Sequence, residues 1–179
     1  MNPSEFYIKA KGLKYSVKHH LEEKLNEVPE KVRTFTQENC VLSGGCFSSL
    51  IHGEKINDYD LYLKDLSKTE ELLDLLKEYV SPTPLEETPY AEAFVDGKII
   101  TANAITLSNR LQYIIRADFK SSKAMFDYVH CMVNYDIKED KLWVSQEQLE
   151  SIVDKRLSTN NAQSVTFSRE EKFRNRGWK

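Results

Sequence analysis

A pair of glycines and a pair of aspartates constrain this chain more than any other feature. Gly44 and Gly45 end one short apolar segment, and Asp58 and Asp60 begin the next. A glycine pair permits a turn whose backbone a phosphate group can approach closely. Aspartates at positions i and i+2 of a strand point to the same face of the sheet, roughly 6 to 7 Å apart. The pattern therefore predicts a phosphate-binding turn beside a paired-carboxylate site.

The spacing of the two aspartates suits divalent cations. Carboxylates on one strand face can hold a pair of ions about 3.5 to 4 Å apart, as in sites that transfer phosphoryl groups. In the structural alternative, Asp58 caps a turn and Asp60 lies on a solvated strand face. Aspartate is depleted in strands, and the apolar Leu61 and Leu63 follow it here. We therefore expect Asp58 and Asp60 to be ligands of two magnesium ions, for which Mn²⁺ is a substitute.

The run Ser43-Gly44-Gly45 followed by Asp58-Tyr59-Asp60-Leu61 resembles the DNA polymerase beta-like nucleotidyltransferase superfamily, including tRNA nucleotidyltransferases and poly(A) polymerases. It is more similar to small nucleotidyltransferase-like proteins of phages and prophages. They share Gly-Gly-x-Phe before the Asp-x-Asp, a later Phe-Asp-aromatic-Val-His run (here 126–130) and a basic ending in Arg-Gly-aromatic (here 176–178). The resemblance covers residues 41–179 and implies an α+β nucleotidyltransferase fold, in which a mixed sheet carries the carboxylates at one edge.

The resemblance also implies a third carboxylate on a neighbouring strand. Three carboxylates balance two magnesium ions better than two and still leave coordination positions for phosphate and water. Asp127 matches the Phe-Asp motif and is expected to begin an apolar strand over residues 126–135. Asp118 is the runner-up, although we expect it to cap the following helix. Asp96 lies in an expected hairpin turn and is a poor candidate.

Gly44 and Gly45 are expected to hold the triphosphate, because backbone N–H groups at a glycine turn before a helix form an anion site. In much of the superfamily a serine follows the glycines and contacts phosphate. This chain has Cys46 there, so Ser48 or Ser49 is expected to supply the hydroxyl. The alternative is a tight turn among small buried residues. Four basic residues are candidates for neutralising the departing pyrophosphate: Lys55, Arg110, Arg116 and Lys123.

Composition describes an ordinary globular chain of 179 residues, which is the size of one domain. A net charge of −3 provides no overall positive field for nucleic acid, so any such contact must come from a local patch. No apolar run reaches the about 18 residues of a membrane helix. Cys40, Cys46 and Cys131 are odd in number and lack Cys-x-x-Cys spacing. They indicate reduced, mostly buried thiols in a cytoplasmic protein.

Hydrophobic periodicity predicts one α+β domain over residues 1–179, with N-terminal helices and a helical C-terminal segment. The predicted helices cover residues 14–39 with a break at Pro29, 47–51, a segment beginning at Ser67, 119–125, 146–157 and 168–176. The predicted strands cover residues 40–43, 59–63, 90–95, 98–107, 111–115, 126–135 and 141–144. Capping boxes are expected at Ser67 and Ser168, and a proline-rich loop is expected over 81–89.

These features favour a metal-dependent nucleotidyltransferase that transfers a nucleoside monophosphate from a nucleoside triphosphate, such as ATP, to a hydroxyl group. The acceptor is either an RNA end or a protein. The first alternative is a non-catalytic protein of the same fold that binds a nucleotide, a toxin or a host factor. The second is a nucleic-acid-binding module that uses the basic and aromatic C-terminal segment, residues 168–179.

Overall fold

The computed structural model describes residues 1–78, 93–95, 98–100 and 103–179. Its α-helices are α1 (Pro3–Leu25), α2 (Glu30–Asn39), α3 (Cys46–His52), α4 (Thr69–Glu78), α5 (Phe119–Ser122), α6 (Gln146–Val153) and α7 (Phe167–Arg174). Its strands are β1 (Cys40–Ser43), β2 (Tyr59–Leu63), β3 (Ala93–Val95), β4 (Lys98–Ile100), β5 (Ala104–Thr106), β6 (Leu111–Ile114), β7 (Asn134–Asp136) and β8 (Lys141–Trp143). Short 3-10 segments cover Leu66–Lys68, Lys123–Met125, Val129–Met132 and Ala162–Ser164.

The described strands form one mixed sheet in the order β3-β4-β5-β6-β2-β1-β7-β8. Strands β2 and β6 are parallel, whereas β1 is antiparallel to both β2 and β7. Asp60 lies opposite Ser43 on one side and Gln112 on the other. The expected α+β class, a mixed sheet with helices packed on it, is confirmed. Asp60 is therefore held between two strands at the margin where β1 ends and β2 begins.

The main core lies between one face of the sheet and the helices. Leu61 and Leu63 of β2 are fully buried there together with Val17 and Leu21 of α1. Tyr62, between them in the sequence, points to the other face and packs in a small cluster with Phe119 of α5. This alternation follows from the two-residue repeat of a strand. Asp60 is two residues before Tyr62 on the same strand, so its side chain points to the same face as Tyr62, which this small cluster covers only thinly.

Two of the expected helix caps are wrong. Asp65, not Ser67, caps the 3-10 turn before α4, and its carboxylate accepts a hydrogen bond from the backbone N–H of Ser67 at 2.8 Å. Thr166, not Ser168, caps α7. A residue caps a helix with its side chain where its own backbone is extended, and sequence spacing does not reveal that conformation. The N-terminal helix also begins much earlier than predicted, at Pro3, directly after its cap Asn2.

The predicted strand over 126–135 is wrong. Residues Val129–Met132 form a 3-10 turn, and only Asn134–Asp136 is a strand. Tyr128 and Cys131 of this run pack against the C-terminal segment, whereas Val133 and Tyr135 lie in the main core. Apolar content alone therefore misidentified the element. The predicted strand 98–107 is two antiparallel strands, β4 and β5.

The pairing of β3 with β4 confirms the predicted hairpin. The predicted loop 81–89 lies outside the described residues. Within the described part of the chain, none of the helices combines the length and apolarity needed to cross a membrane.

Candidate functional site

The turn after β1 is built around Gly44. Its φ angle is +93°, in the left-handed region that favours glycine. Its N–H donates to the carbonyl of Cys131 at 3.2 Å, and the hydroxyl of Ser43 donates to the carbonyl of Val133 at 2.8 Å. A β-carbon at Gly44 would overlap the Oδ2 atom of Asp60. The Asp60 carboxylate therefore lies directly against the turn, in space that only a glycine leaves open.

The neighbouring Gly45 has an ordinary helical conformation. Its φ angle is −75°, it is the N-cap residue of α3, and an added β-carbon would meet no atom within 4 Å. The left-handed conformation of this turn is therefore at Gly44 and not at Gly45. The contact of either glycine with phosphate stays a prediction.

Asp58 and Asp60 interact electrostatically. Burial raises the pKa of Asp60 to about 7, the negative charge of Asp58 adds to that rise, and the positive charges of Arg169 and Lys172 oppose it. Burial also raises the pKa of Asp58, against the opposing charges of Lys172 and Arg110. Among the described residues, neither carboxylate has a hydrogen-bond or ion-pair partner. The charges of Asp58 and Asp60 therefore interact, and within the described part of the chain no direct contact neutralises either of them.

Asp60 lines a cleft of about 690 Å³ on the thinly covered face of the sheet. Pockets of this size are typical of small-molecule and cofactor sites. Besides Gly44, the residues that line the cleft include the polar residues Asp60, Gln112, Arg116, Asp127 and Arg169. The cleft thus combines acidic and basic side chains beside the glycine turn.

Asp127 reaches this cleft from a loop rather than from a strand. Its carbonyl accepts hydrogen bonds from the N–H groups of Asn160 and Asn161, at 2.7 and 3.2 Å. Its carboxylate accepts from the Tyr128 N–H at 2.9 Å and from Arg169 Nε at 2.6 Å. The expectation that Asp127 lies on an adjacent strand is wrong, although it lines the same cleft as Asp60. In this conformation its charge is already paired.

The acidic residues fit a divalent cation in kind, because carboxylate oxygens are the ligands that Mg²⁺ prefers. Asp58 and Asp60 have no competing partner among the described residues, whereas Asp127 is held by Arg169. Across those same residues, no three His, Cys, Asp or Glu side chains group closely enough to hold a metal ion. The three-carboxylate site stays a prediction. Asp118 caps α5 as expected, accepting from the Ser121 N–H at 2.7 Å.

Arg169 is the principal site residue that sequence reasoning missed. Besides its ion pair with Asp127, its Nη2 donates to Cys131 Sγ at 3.7 Å, and its guanidinium lies 4.9 Å from the centre of the Phe173 ring. Lys172 follows it by three residues, so both belong to one face of α7. That spacing of two cations in a predicted C-terminal helix was the available signal. Of the four basic residues proposed from sequence, Arg116 lines the cleft.

Ser48 and Ser49 do not line this cleft. The Ser48 hydroxyl is buried without a hydrogen-bond partner among the described residues. The Ser49 hydroxyl accepts from Arg176 Nη2 at 3.3 Å. A phosphate contact from either serine stays a prediction that this geometry does not support.

The C-terminal aromatic residues pack inward. Phe173 and Trp178 are buried with Tyr128, and the His130 ring lies between Tyr128 and Trp178, with ring centres 5.6 and 3.9 Å away. Burial lowers the pKa of His130 to about 3. Phe173 and Trp178 therefore cannot stack on nucleic-acid bases in this conformation, which contradicts that part of the nucleic-acid-binding hypothesis. The three cysteines are buried free thiols, as expected.

Fold and site together define an α+β protein in which Asp60 lines a cleft beside a glycine turn, whereas Asp58 does not line that cleft and acts on Asp60 through its charge. The family model of the Gabija anti-defense 2 family proteins matches residues 12–155. The chain therefore belongs to the Gabija anti-defense 2 family. No curated protein matches the chain.

Solved structures that are similar to the chain include tRNA-processing enzymes. The CCA-adding enzyme of Thermotoga maritima complexed with tRNA is 14% identical, with a TM-score of 0.46, over 80% of this chain and 36% of the other. A tRNA nucleotidyltransferase complexed with a primer tRNA and an incoming ATP analog is 15% identical, with a TM-score of 0.47, over 74% and 40%. The chain thus spans well under half the length of these proteins.

Proposed function

We propose that this protein is a nucleotidyltransferase that binds a nucleoside triphosphate in the cleft and transfers the nucleoside monophosphate to a hydroxyl group. The observation that carries the proposal is the placement of Asp60. Its carboxylate lies against Gly44, is coupled to Asp58, and opens into a cleft of about 690 Å³. Two carboxylates kept close together and unpaired raise the free energy of the folded protein, and a bound cation would relieve that cost.

Asp58 and Asp60 would hold Mg²⁺ or Mn²⁺, which would supply charge neutralisation and alignment for displacement at the α-phosphorus. The chain's own residues do the rest. Gly44 lets the Asp60 carboxylate lie against the turn, and it lines the cleft in which the triphosphate would bind. Arg116 and Arg169 line the same cleft and balance the negative charge of the phosphates.

The ion pair between Asp127 and Arg169 gives both residues a role in substrate binding. A triphosphate carries more negative charge than one carboxylate, so it competes for the Arg169 guanidinium. If Arg169 turns toward phosphate, the Asp127 carboxylate is released and can join Asp58 and Asp60 as the third acidic ligand. With this exchange, Asp127 can be the third metal ligand implied by the nucleotidyltransferase resemblance although it is paired with Arg169 in the structure.

Membership of an anti-defense family supports an acceptor that belongs to a defence system, either a protein or an RNA end. The alternative function is a non-catalytic binding protein of the same fold. The observation that favours it is the Asp127–Arg169 ion pair, which neutralises the third acidic group without a metal. The two functions differ in whether label from a triphosphate becomes covalently attached to an acceptor.

The test is transfer of label from each α-labelled nucleoside triphosphate, with Mg²⁺ or Mn²⁺, to cellular RNA and to purified Gabija proteins. We expect labelled acceptor with the wild type and none with Asp58→Asn or Asp60→Asn, because a neutral amide is a poor magnesium ligand. Asp74→Asn is the matched control, since Asp74 lies exposed on α4 and pairs only with Lys77 among the described residues.

Calorimetric titration with each triphosphate separates the two functions. Binding that requires Asp58 and Asp60 but leaves every acceptor unlabelled favours the non-catalytic protein. Absence of both binding and transfer refutes the proposed use of the cleft.

A further inference from the structure

A groove on the other side of the molecule lies between α1 and the edge strand β8. We call it the α1–β8 groove. Its floor is apolar and is formed by Phe6 and Ala10 of α1 and by Leu142 and Val144 at β8. Its volume is about 570 Å³. Within the described residues β8 pairs only with β7, so one backbone edge of the sheet faces this region.

The rim of the groove is strongly basic. Four lysines line it, and Asp140 is the one acidic lining residue. The chain as a whole has a net charge of −3, so this surface is opposite in sign to the rest of the molecule. The four lysines are Lys11, Lys14, Lys18 and Lys141. A basic surface on a protein of net negative charge attracts an acidic partner to that one place.

Asp140 fixes two of these lysines at the groove. It lies in the β7–β8 turn with a φ angle of +48°, and its carboxylate accepts from the Tyr135 hydroxyl at 2.6 Å. Lys14 and Lys18 pair with it, at 3.1 and 3.4 Å. Lys11 and Lys141 are left to meet a ligand, because neither has an ion-pair partner among the described residues.

Large aromatic side chains lie exposed at the same place. Tyr7 and Tyr15 line the groove and are 65% and 72% exposed. Trp143 on β8 does not line the groove but is 52% exposed beside it, with Nζ of the lining residue Lys141 at 3.8 Å from its ring centre. Exposed aromatic residues next to cations are typical of surfaces that bind other proteins. These side chains gain burial only if a partner covers them.

We propose that the α1–β8 groove binds an acidic segment of a partner protein, whose apolar side chains contact the floor and whose carboxylates pair with the lysines. A nucleic-acid backbone would satisfy the lysines but not the apolar floor, and the net negative charge of the chain opposes its approach. The groove borders the helix-covered face of the sheet, whereas the cleft opens on the opposite face. A bound partner would therefore leave the cleft accessible.

The test uses a fluorescein-labelled peptide of glutamate and leucine residues, spaced by glycines to prevent aggregation, and fluorescence anisotropy. Comparison ligands are the same peptide with glutamine for glutamate, and oligo-dT. The double variant Lys11→Glu with Lys141→Glu reverses the rim, and Tyr15→Ser removes an exposed aromatic ring without touching the core. The matched control is Lys77→Glu with Lys120→Glu, which makes the same charge change at exposed positions on α4 and α5. Thermal melts establish that each variant is folded.

We expect the glutamate peptide to bind the wild type and the control equally, and the rim variant roughly tenfold or more weakly. Tyr15→Ser should weaken binding as well, because the exposed ring contributes contact area. The proposal is overturned if the glutamine peptide binds as tightly, or if the rim variant binds unchanged. It is also overturned if oligo-dT binds more tightly through the same lysines, or if the groove residues instead control dimerisation of the chain.

Discussion

Replacing Asp60 by asparagine should stabilise the folded protein while abolishing nucleotidyl transfer. The pKa of Asp60 rises from its usual 3.8 to about 7 because of burial and the nearby Asp58 charge. A tenfold change in an acid dissociation constant corresponds to about 1.36 kcal/mol, and this rise is roughly a thousandfold change, so the ionised carboxylate costs roughly 4 kcal/mol at pH 8. The neutral amide has the same shape without that cost, so Asp60→Asn should raise the free energy of unfolding by about that amount.

The stability that the protein gains from Asp60→Asn should depend on pH. The folded state binds the Asp60 proton more tightly than the unfolded chain, so the contribution of Asp60 to stability becomes less favourable as pH rises from about 4 to about 7 and is then level. The gain from Asp60→Asn should therefore shrink to roughly 1 to 2 kcal/mol at pH 5. Urea denaturation followed by circular dichroism, with a chelator present, measures both values. A variant that is less stable than the wild type at pH 8, or a difference that does not change with pH, refutes the reasoning.

Three further changes test other parts of the site. Gly44→Ala should destabilise the protein by roughly 1 to 3 kcal/mol in thermal or urea melts, because the new β-carbon would overlap Asp60 at a positive φ angle. Gly45→Ala should change the free energy of unfolding by no more than about 0.5 kcal/mol, and equal effects of the two substitutions would contradict this prediction. Arg169→Gln should weaken triphosphate binding in calorimetric titrations more than Asp127→Asn, because phosphate replaces Asp127 as the partner of Arg169. The reverse order would exclude the proposed exchange of Arg169 from Asp127 to phosphate. His130→Phe should gain about 2 kcal/mol over the wild type between pH 8 and pH 5, because a folded-state pKa of about 3 makes the contribution of His130 to stability less favourable below about pH 6.5. Urea titrations at both pH values would disprove this if the difference between variant and wild type were constant.

Local sequence patterns were sufficient for the elements around the site. The predicted strands 40–43 and 59–63 agree with the observed β1 and β2. Their short apolar runs, one before the glycine pair and one after it, are short-range signals, which survive in the folded protein because both strands lie inside the sheet. The common face expected for Asp58 and Asp60 stays a prediction, because Asp58 lies just before β2 and its charge is only known to raise the pKa of Asp60.

Only the tertiary structure decided what surrounds these carboxylates. Which glycine takes the positive φ angle depends on how β1 meets the Cys131 loop and the Asp60 side chain. Asp127 is paired with Arg169 because α7 folds back across the loop through buried Phe173. Such contacts join residues far apart in the chain, and no periodic pattern encodes them. The sequence by itself therefore determined the acidic pair and its strand, whereas long-range packing decided which cation lies beside the third carboxylate and left the apolar floor of the α1–β8 groove open.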